Sequence, residues 1–264
     1  MLEMFQPVLI SSGLAGWQFL QRTYDEQLST FGDSAQLKRD TDHFTDKIGS
    51  ITTAEELVAD RQLLTVALGA FGLSDDINNT FFITKMLGDG TTAQDALANR
   101  FTDTRYRDFS EAFGLGPGEQ RGASKAGFVE DIVSRFQANS FEIATGNQDE
   151  SMRIALYAER NLADVVQGTG SEASKWFSIM GQPPLRTLFE TALGLPQAFG
   201  QIDIDQQLTV FQERSERVLA ISDPAEFADP EALDRLITTY LARSQLDQGG
   251  ASVSGASIAL TLLS

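Results

Sequence analysis

The sequence predicts an all-α protein, a multi-helix bundle built from two pseudo-repeated helical halves, and three observations lead there. Apolar residues recur almost everywhere at helical spacing, and few runs alternate as strands do. The strongest break is the run Gly114-Leu115-Gly116-Pro117-Gly118, near the middle of the chain. A nine-residue pattern, R-x-L-[LF]-x-x-A-L-G, is written twice, as Arg61–Gly69 and, 125 positions later, as Arg186–Gly194. Its apolar residues share one helical face, and Gly69 and Gly194 stand where a left-handed cap would end each helix.

The elements follow in order. Leu14, Trp17, Leu20, Tyr24 and Leu28 trace one face of a first helix to about Phe31, and Ser34 is placed to cap a second, running to about Ile48. Thr53-x-x-Glu56 is a capping box that launches a helix through Leu57, Leu64 and Leu68. Thr92 with Asp95 suggests a start leading to Leu97 and Phe101, and Asp103 one carrying Tyr106, Phe109 and Phe113. Past the glycine break, Phe128, Val129, Ile132, Val133 and Phe136 describe a long amphipathic helix, and another runs from about Asp149 to Val166. A short helix over Trp176 and Phe177 comes next. Pro183-Pro184 then forces an extended entry into the second copy of the pattern. The last helices span Asp205 to Leu219 and, with Asp229 capping and Pro230 at the first position, Glu231 to Arg243. This organisation predicts an N-terminal helical half over 1–117 and a C-terminal half over 118–246. A tail over 247–264 reads as disordered as far as Ser257. Its apolar end Ile258–Leu263 reads as a frayed terminus or, more sharply, as a docking or secretion-related segment.

Composition excludes several classes. With 264 residues and 42% apolar content the chain has ample material for a core. Its net charge of −17 repels phosphate backbones and anionic lipids, so neither nucleic acid nor a membrane surface is an expected partner. The absence of cysteine removes disulfides, thiolate catalysis and cysteine metal sites. No run approaches the ~18 apolar residues of a membrane span, and the first basic residue is Arg22, so no Sec signal peptide is expected.

Reactive constellations are sparse. His43, the only histidine, sits on a polar face and has no nucleophile turn to serve as base. The acidic clusters Ser74-Asp75-Asp76, Gly88-Asp89-Gly90 and Asp203-Ile204-Asp205 lack a calcium loop, and each reads as a helix N-cap. No dinucleotide or phosphate loop is present, and no catalytic, cofactor or metal residue is expected. Arg61 and Arg186 head the repeated helices, and Arg105 lies beside apolar positions. Such arginines usually pair with carboxylates or helix ends, but they are the candidates for gripping an anionic ligand.

Specific motifs carry a resemblance. Gly16-Trp17-x-Phe19-Leu20-x-Arg22-Thr23 and Asp60-Arg61-x-Leu63-Leu64-x-Val66-Ala67-Leu68-Gly69-Ala70-Phe71-Gly72-Leu73 form an N-terminal signature. Asp103-x-Arg105-Tyr106-x-x-Phe109, Ala112-Phe113-Gly114, Arg153-x-Ala155-Leu156, Trp176, Pro183-Pro184-Leu185-Arg186, Ala192-x-Gly194-Leu195-Pro196 and Asp203-Ile204-Asp205-x-Gln207-Leu208 continue it. The chain resembles, almost to Arg243, the bacterial family called domain of unknown function 1217, whose members are commonly associated with flagellar gene clusters. The resemblance carries over no catalytic residues. It implies a non-enzymatic structural or assembly protein of the flagellum, cytoplasmic or flagellum-associated, with other flagellar proteins as partners. The alternative is a soluble helical module that binds a small anionic ligand in a cleft between the halves through Arg61, Arg105 and Arg186. The oligomeric state is not legible.

Overall fold

The computed structural model describes residues 6–168 and 170–252, and among them every regular element is helical. The chain forms two compact units. Unit 1 holds the described residues up to Val8 and Thr23–Thr145; unit 2 holds Leu9–Arg22 and the described residues from Gly146 onward. The first helix, α1 (Gly13–Gly32), and the long helix α7 (Phe128–Gly146) contain the points of division. The boundary therefore falls at the end of α7, not at residue 117. The glycine run is a close-packed loop inside unit 1. Gly114 takes a left-handed φ of 56° after α6 (Arg105–Phe113), and a Cβ on Gly116 would lie 2.4 Å from the Gly90 Cα. Those glycines serve close approach rather than linkage.

In unit 1, α2 (Ala35–Lys47) packs on α4 (Arg61–Ala70), α3 (Ala54–Ala59) on α4 and α5 (Thr80–Asp89), and α5 on α6. Phe44, Leu57, Leu63, Leu64, Ile83, Phe109 and Ile132 meet in one fully buried core. Burying each is worth about 1.5–3 kcal/mol. Thr53 and Glu56 form the expected reciprocal capping box. The helix it opens stops at Asp60, however, because Asp60 is extended (φ −92°, ψ 100°) and its carboxylate accepts from the Gln62 and Leu63 amides. An aspartate that can satisfy two free donors caps a new helix more readily than it continues an old one. Thr92 and Asp95 start no α-helix. The Glu119 carboxylate takes the Thr91 and Thr92 amides and the Thr91 hydroxyl, and only a short 3-10 turn, Leu97–Arg100, follows. The cluster Gly88-Asp89-Gly90 ends α5 instead of opening a helix, with Asp89 paired to Lys85.

In unit 2, α10 (Pro183–Leu193) packs against α8 (Glu150–Gln167), α9 (Glu172–Gly181), α11 (Ile204–Leu219) and α12 (Pro230–Ser252). Trp176 is fully buried and meets Phe189, Phe211 and Phe227 edge-on, at centroid distances of 5.7, 6.1 and 6.3 Å. Offset edges of this kind add roughly 0.5–1.5 kcal/mol per pair beyond burial. Helix α12 continues to Ser252, past the expected start of the tail at 247; residues 253–264, with the apolar end Ile258–Leu263, lie outside the described residues.

The repeated pattern does not occupy equivalent positions. Both α4 and α10 end in the same pair of bonds: Leu73 N–H to Leu68 with Gly72 N–H to Gly69, and Leu195 N–H to Glu190 with Gly194 N–H to Thr191. This Schellman geometry puts Gly72 (φ 68°) and Gly194 (φ 65°) in the left-handed position. Asp60 and Gln182 are the N-caps, each twelve residues earlier. The helices match with an offset of 122, three residues away from the sequence copies. Gly69 is thus an interior helical glycine, and a Cβ there would lie 2.6 Å from the Phe136 ring. Gly194 also lies under the Arg243 guanidinium, which fills the space a Cβ would need. Gly194→Ala is expected to lower stability by about 1–3 kcal/mol. Gly49→Ala, with nothing within 4 Å of the new carbon, should be neutral or stabilising by up to ~1 kcal/mol. Urea midpoints of the two variants check this, and equal losses would contradict it.

Candidate functional site

The three arginines are distributed over both units and are held in place by their surroundings. In unit 1, Arg105 opens α6, and its Nε and Nη2 fork onto the Asp103 carboxylate at 2.6–3.1 Å while Nη1 donates to the Gly72 carbonyl at 2.7 Å. Both side chains of this pair are largely buried (18% and 15% exposed), so it ties the start of α6 to the end of α4. Arg61 is exposed and donates through both Nη atoms to Asn78 Oδ1 at 3.3 and 3.2 Å. In unit 2, Arg186 is the fourth residue of α10 and does not open the helix. It donates to Glu190 Oε1 and to Gln207 Oε1, both at 2.7 Å. A ligand grip needs at least two exposed, uncommitted guanidiniums, and Arg105 and Arg186 are both committed to carboxylates of their own units.

The titratable candidates also serve helix ends. His43 Nε2 lies 2.8 Å from Asp60 Oδ2, the carboxylate that caps α4. Burial pushes the Asp60 carboxyl up, but the Leu63 amide, His43 and the Gln62 amide together hold it below the ordinary value. Asp203 caps α11 through the Asp205 amide, and Asp76 accepts from Tyr106 and Asn79. Among the described residues no group of three His, Asp or Glu side chains is placed to hold a metal ion. No helix there is long and apolar enough to cross a membrane.

Unit 1 leaves Val8, Phe81, Phe101 and Ile143 exposed, and two of these are aromatic. Phe82, Phe101 and Tyr106 form a closed triangle with centroids 5.5, 5.6 and 5.2 Å apart. Beside Phe82, near the start of α5, Phe81 is 82% exposed, more than any other large apolar side chain among the described residues; Phe101 is 39% exposed. The face has a rigid backing. Tyr106 donates to Asp76 Oδ2 at 2.6 Å, Arg61 holds Asn78, and Arg105 holds the Gly72 carbonyl, so the 3-10 turn Ser74–Asn78 is fastened at both ends and its middle. Burial, then the Asp76 carboxylate, keeps the Tyr106 phenol protonated above the usual tyrosine range.

Sequence reading placed Phe101 and Tyr106 on helices but missed Phe81 and Phe82. The two rings are adjacent in α5, where successive side chains point about 100° apart, and here Phe82 turns to the cluster while Phe81 is left in water. Unit 2 has a smaller exposed apolar pair, Ile202 (39%) and Ile204 (47%), at the entry to α11.

The class these features define is an all-α protein of two helical units, with an aromatic cluster in unit 1 and with His43, Asp60, Arg105 and Asp203 engaged at helix ends. Residues 70–233 match DUF1217, described as protein of unknown function, and the chain belongs to this family. It is similar in fold to the X-ray crystal structure of protein AGR_C_984 from Agrobacterium tumefaciens. The TM-score is 0.75 at 20% identity, over 91% of this chain and 99% of that one. No curated protein matches the chain.

Two outcomes follow from the site. Asp60→Ala should cost about 1–2 kcal/mol, the usual worth of an N-cap. Because the folded carboxyl is lowered, the charge-dependent part of that stability is present above the ordinary carboxylate pKa and disappears as pH falls through the lower folded value. Urea unfolding at neutral and acid pH, wild type against variant, reads both; a variant gap unchanged in acid would contradict the role. Tyr106→Phe should cost roughly 0.5–1.5 kcal/mol. The folded phenol is raised, so its contribution is full below pH ~10 and falls as pH rises further. The Tyr106→Phe variant should therefore lose stability less steeply in alkali than wild type.

Proposed function

We propose that this protein is a non-enzymatic structural or assembly component of the bacterial flagellum that acts through protein–protein contacts, with the Phe81 face as its contact surface. The observation that carries the contact reading is Phe81 itself, 82% exposed beside the Phe82–Phe101–Tyr106 cluster. Keeping such a ring in water forgoes about 1.5–3 kcal/mol of burial, and its chain neighbour Phe82 belongs to an aromatic cluster with Phe101 and Tyr106. Aromatic residues and arginine are the types enriched at the energetic centres of interfaces, and Arg100 directly precedes Phe101. The non-enzymatic part is supported by the engagement of His43, Arg105 and Arg186 in holding helix ends and neighbouring side chains. The flagellar setting is supported by the family resemblance alone.

Phe81→Glu should leave the far-ultraviolet circular dichroism unchanged and fail to restore motility to a deletion strain. Swarm-plate complementation with wild type and variant checks it. Normal motility in the deletion strain, or full rescue by Phe81→Glu, would overturn the reading.

A further inference from the structure

We propose that the segment Gln6–Val8, ahead of α1, is an exchangeable arm, and that its seat at Gln27 receives the same segment of a second copy of this chain. None of the residues involved belongs to the Phe81 reading.

The seat is built around one nearly buried amide. Gln27, in α1, is only 7% exposed. Its Oε1 accepts from the Val8 N–H at 2.6 Å, and its Nε2 donates to the Val8 carbonyl at 3.3 Å and to Thr23 Oγ1 at 2.8 Å. One side chain thus exchanges both backbone bonds with one residue, as two residues do in a hydrogen-bonded pair of antiparallel strands. Pro7, the next residue of the arm, is buried, whereas Val8 is 49% and Ile10 62% exposed. The arm is therefore held over a short stretch, and a contact this small opens locally while the helices stay folded. Standing open is costly, because a buried amide without partners carries its full desolvation penalty. Refilling by the arm of another copy restores the same bonds.

The connection to α1 has little slack. Gln27 stands about 21 Å along the helix from Gly13, at ~1.5 Å of rise per residue. Leu9–Ser12 joins Val8 to Gly13 and, even fully extended, lets the chain span no more than roughly 17–18 Å. The Gln27 side chain closes the gap, since helical side chains lean toward the helix N-terminus. No slack is available at the other end, where the Ser11 carbonyl packs on Gly16 and the Gln245 side chain covers Gly13, leaving no room for a Cβ at either glycine. A short connection under tension invites exchange, because an arm seated on a neighbour need not cross that span. Every chain carries one arm and one seat, so a reciprocal exchange fills both and closes a two-fold dimer.

Sedimentation velocity of the full chain over a wide concentration series tests this, with circular dichroism confirming that each variant folds. Wild type is expected to pass from monomer to dimer and no further. Deleting Ile10, an exposed residue, removes the remaining reach and should tighten the dimer several-fold. Inserting Gly-Ser-Gly-Ser between Leu9 and Ile10 supplies slack and should weaken it several-fold. Gln27→Met keeps the length of the side chain, removes both backbone bonds and should be monomeric, whereas Phe81→Glu should dimerise as wild type does. Wild type that stays monomeric at every concentration, or a dimer indifferent to the length of the connection, overturns the inference. A dimer lost in Phe81→Glu and kept in Gln27→Met also overturns it and assigns self-association to the Phe81 face, so the two readings fail separately.

Discussion

The need to satisfy the open backbone donors at the start of each helix governs this protein. Its helices are numerous and many are short, so helix ends form a large part of the structure, and each start exposes N–H groups with no partner inside the helix. Side-chain oxygens meet that need repeatedly: Thr53 before α3, Asp60 before α4, Asp149 before α8, Ser171 before α9, Asp203 before α11 and Asp229 before α12. The acidic composition is partly explained by this. A carboxylate at a helix N-terminus is stabilised by the amides it accepts from and by the positive end of the peptide dipoles. His43 then pairs with one of these caps, which accounts for the only histidine without invoking chemistry.

The same constraint decides which surfaces remain for contact. Arg105 and Tyr106 fasten the turn after α4, and Arg186 with Gln207 fastens the loop before α11. Polar side chains that resembled a ligand grip instead hold two loops in fixed shape. On those loops or next to them sit Phe81, Phe101, Ile202 and Ile204, apolar groups that the local core does not cover. Rigid backing behind exposed apolar groups suits recognition between proteins, since ordering entropy is lost once, on folding, and not again on binding.

Much of the fold was legible because long helices with strong caps announce themselves. Helices α1, α7, α8, α11 and α12 begin within a residue of the starts read from the sequence, at Leu14, Phe128, Asp149, Asp205 and Glu231. Short elements were less legible. The apolar spacing of Leu57, Leu64 and Leu68 runs through the break at Asp60, so periodicity alone concealed the end of α3. Helix α5 carries Phe81, Phe82, Ile83 and Met86 with little polar contrast, and its start at Thr80 lacks a capping side-chain bond. The duplicated pattern misled because identical letters at an offset of 125 lie on helices whose ends match at 122; hydrogen-bond register, not letter identity, defines equivalence. Arg105 and Arg186 pair with the local carboxylates Asp103 and Glu190, whereas the Gly72 carbonyl and Gln207 that they also reach depend on tertiary placement that spacing does not encode.

The central claim is that Phe81 belongs to a contact face and not to the core of unit 1. Urea unfolding of Phe81→Ala beside Phe109→Ala, the latter at a fully buried ring, measures this most directly. The account predicts a change within ~0.5 kcal/mol for the first and a loss of about 3–5 kcal/mol for the second. Comparable losses at both positions would contradict it.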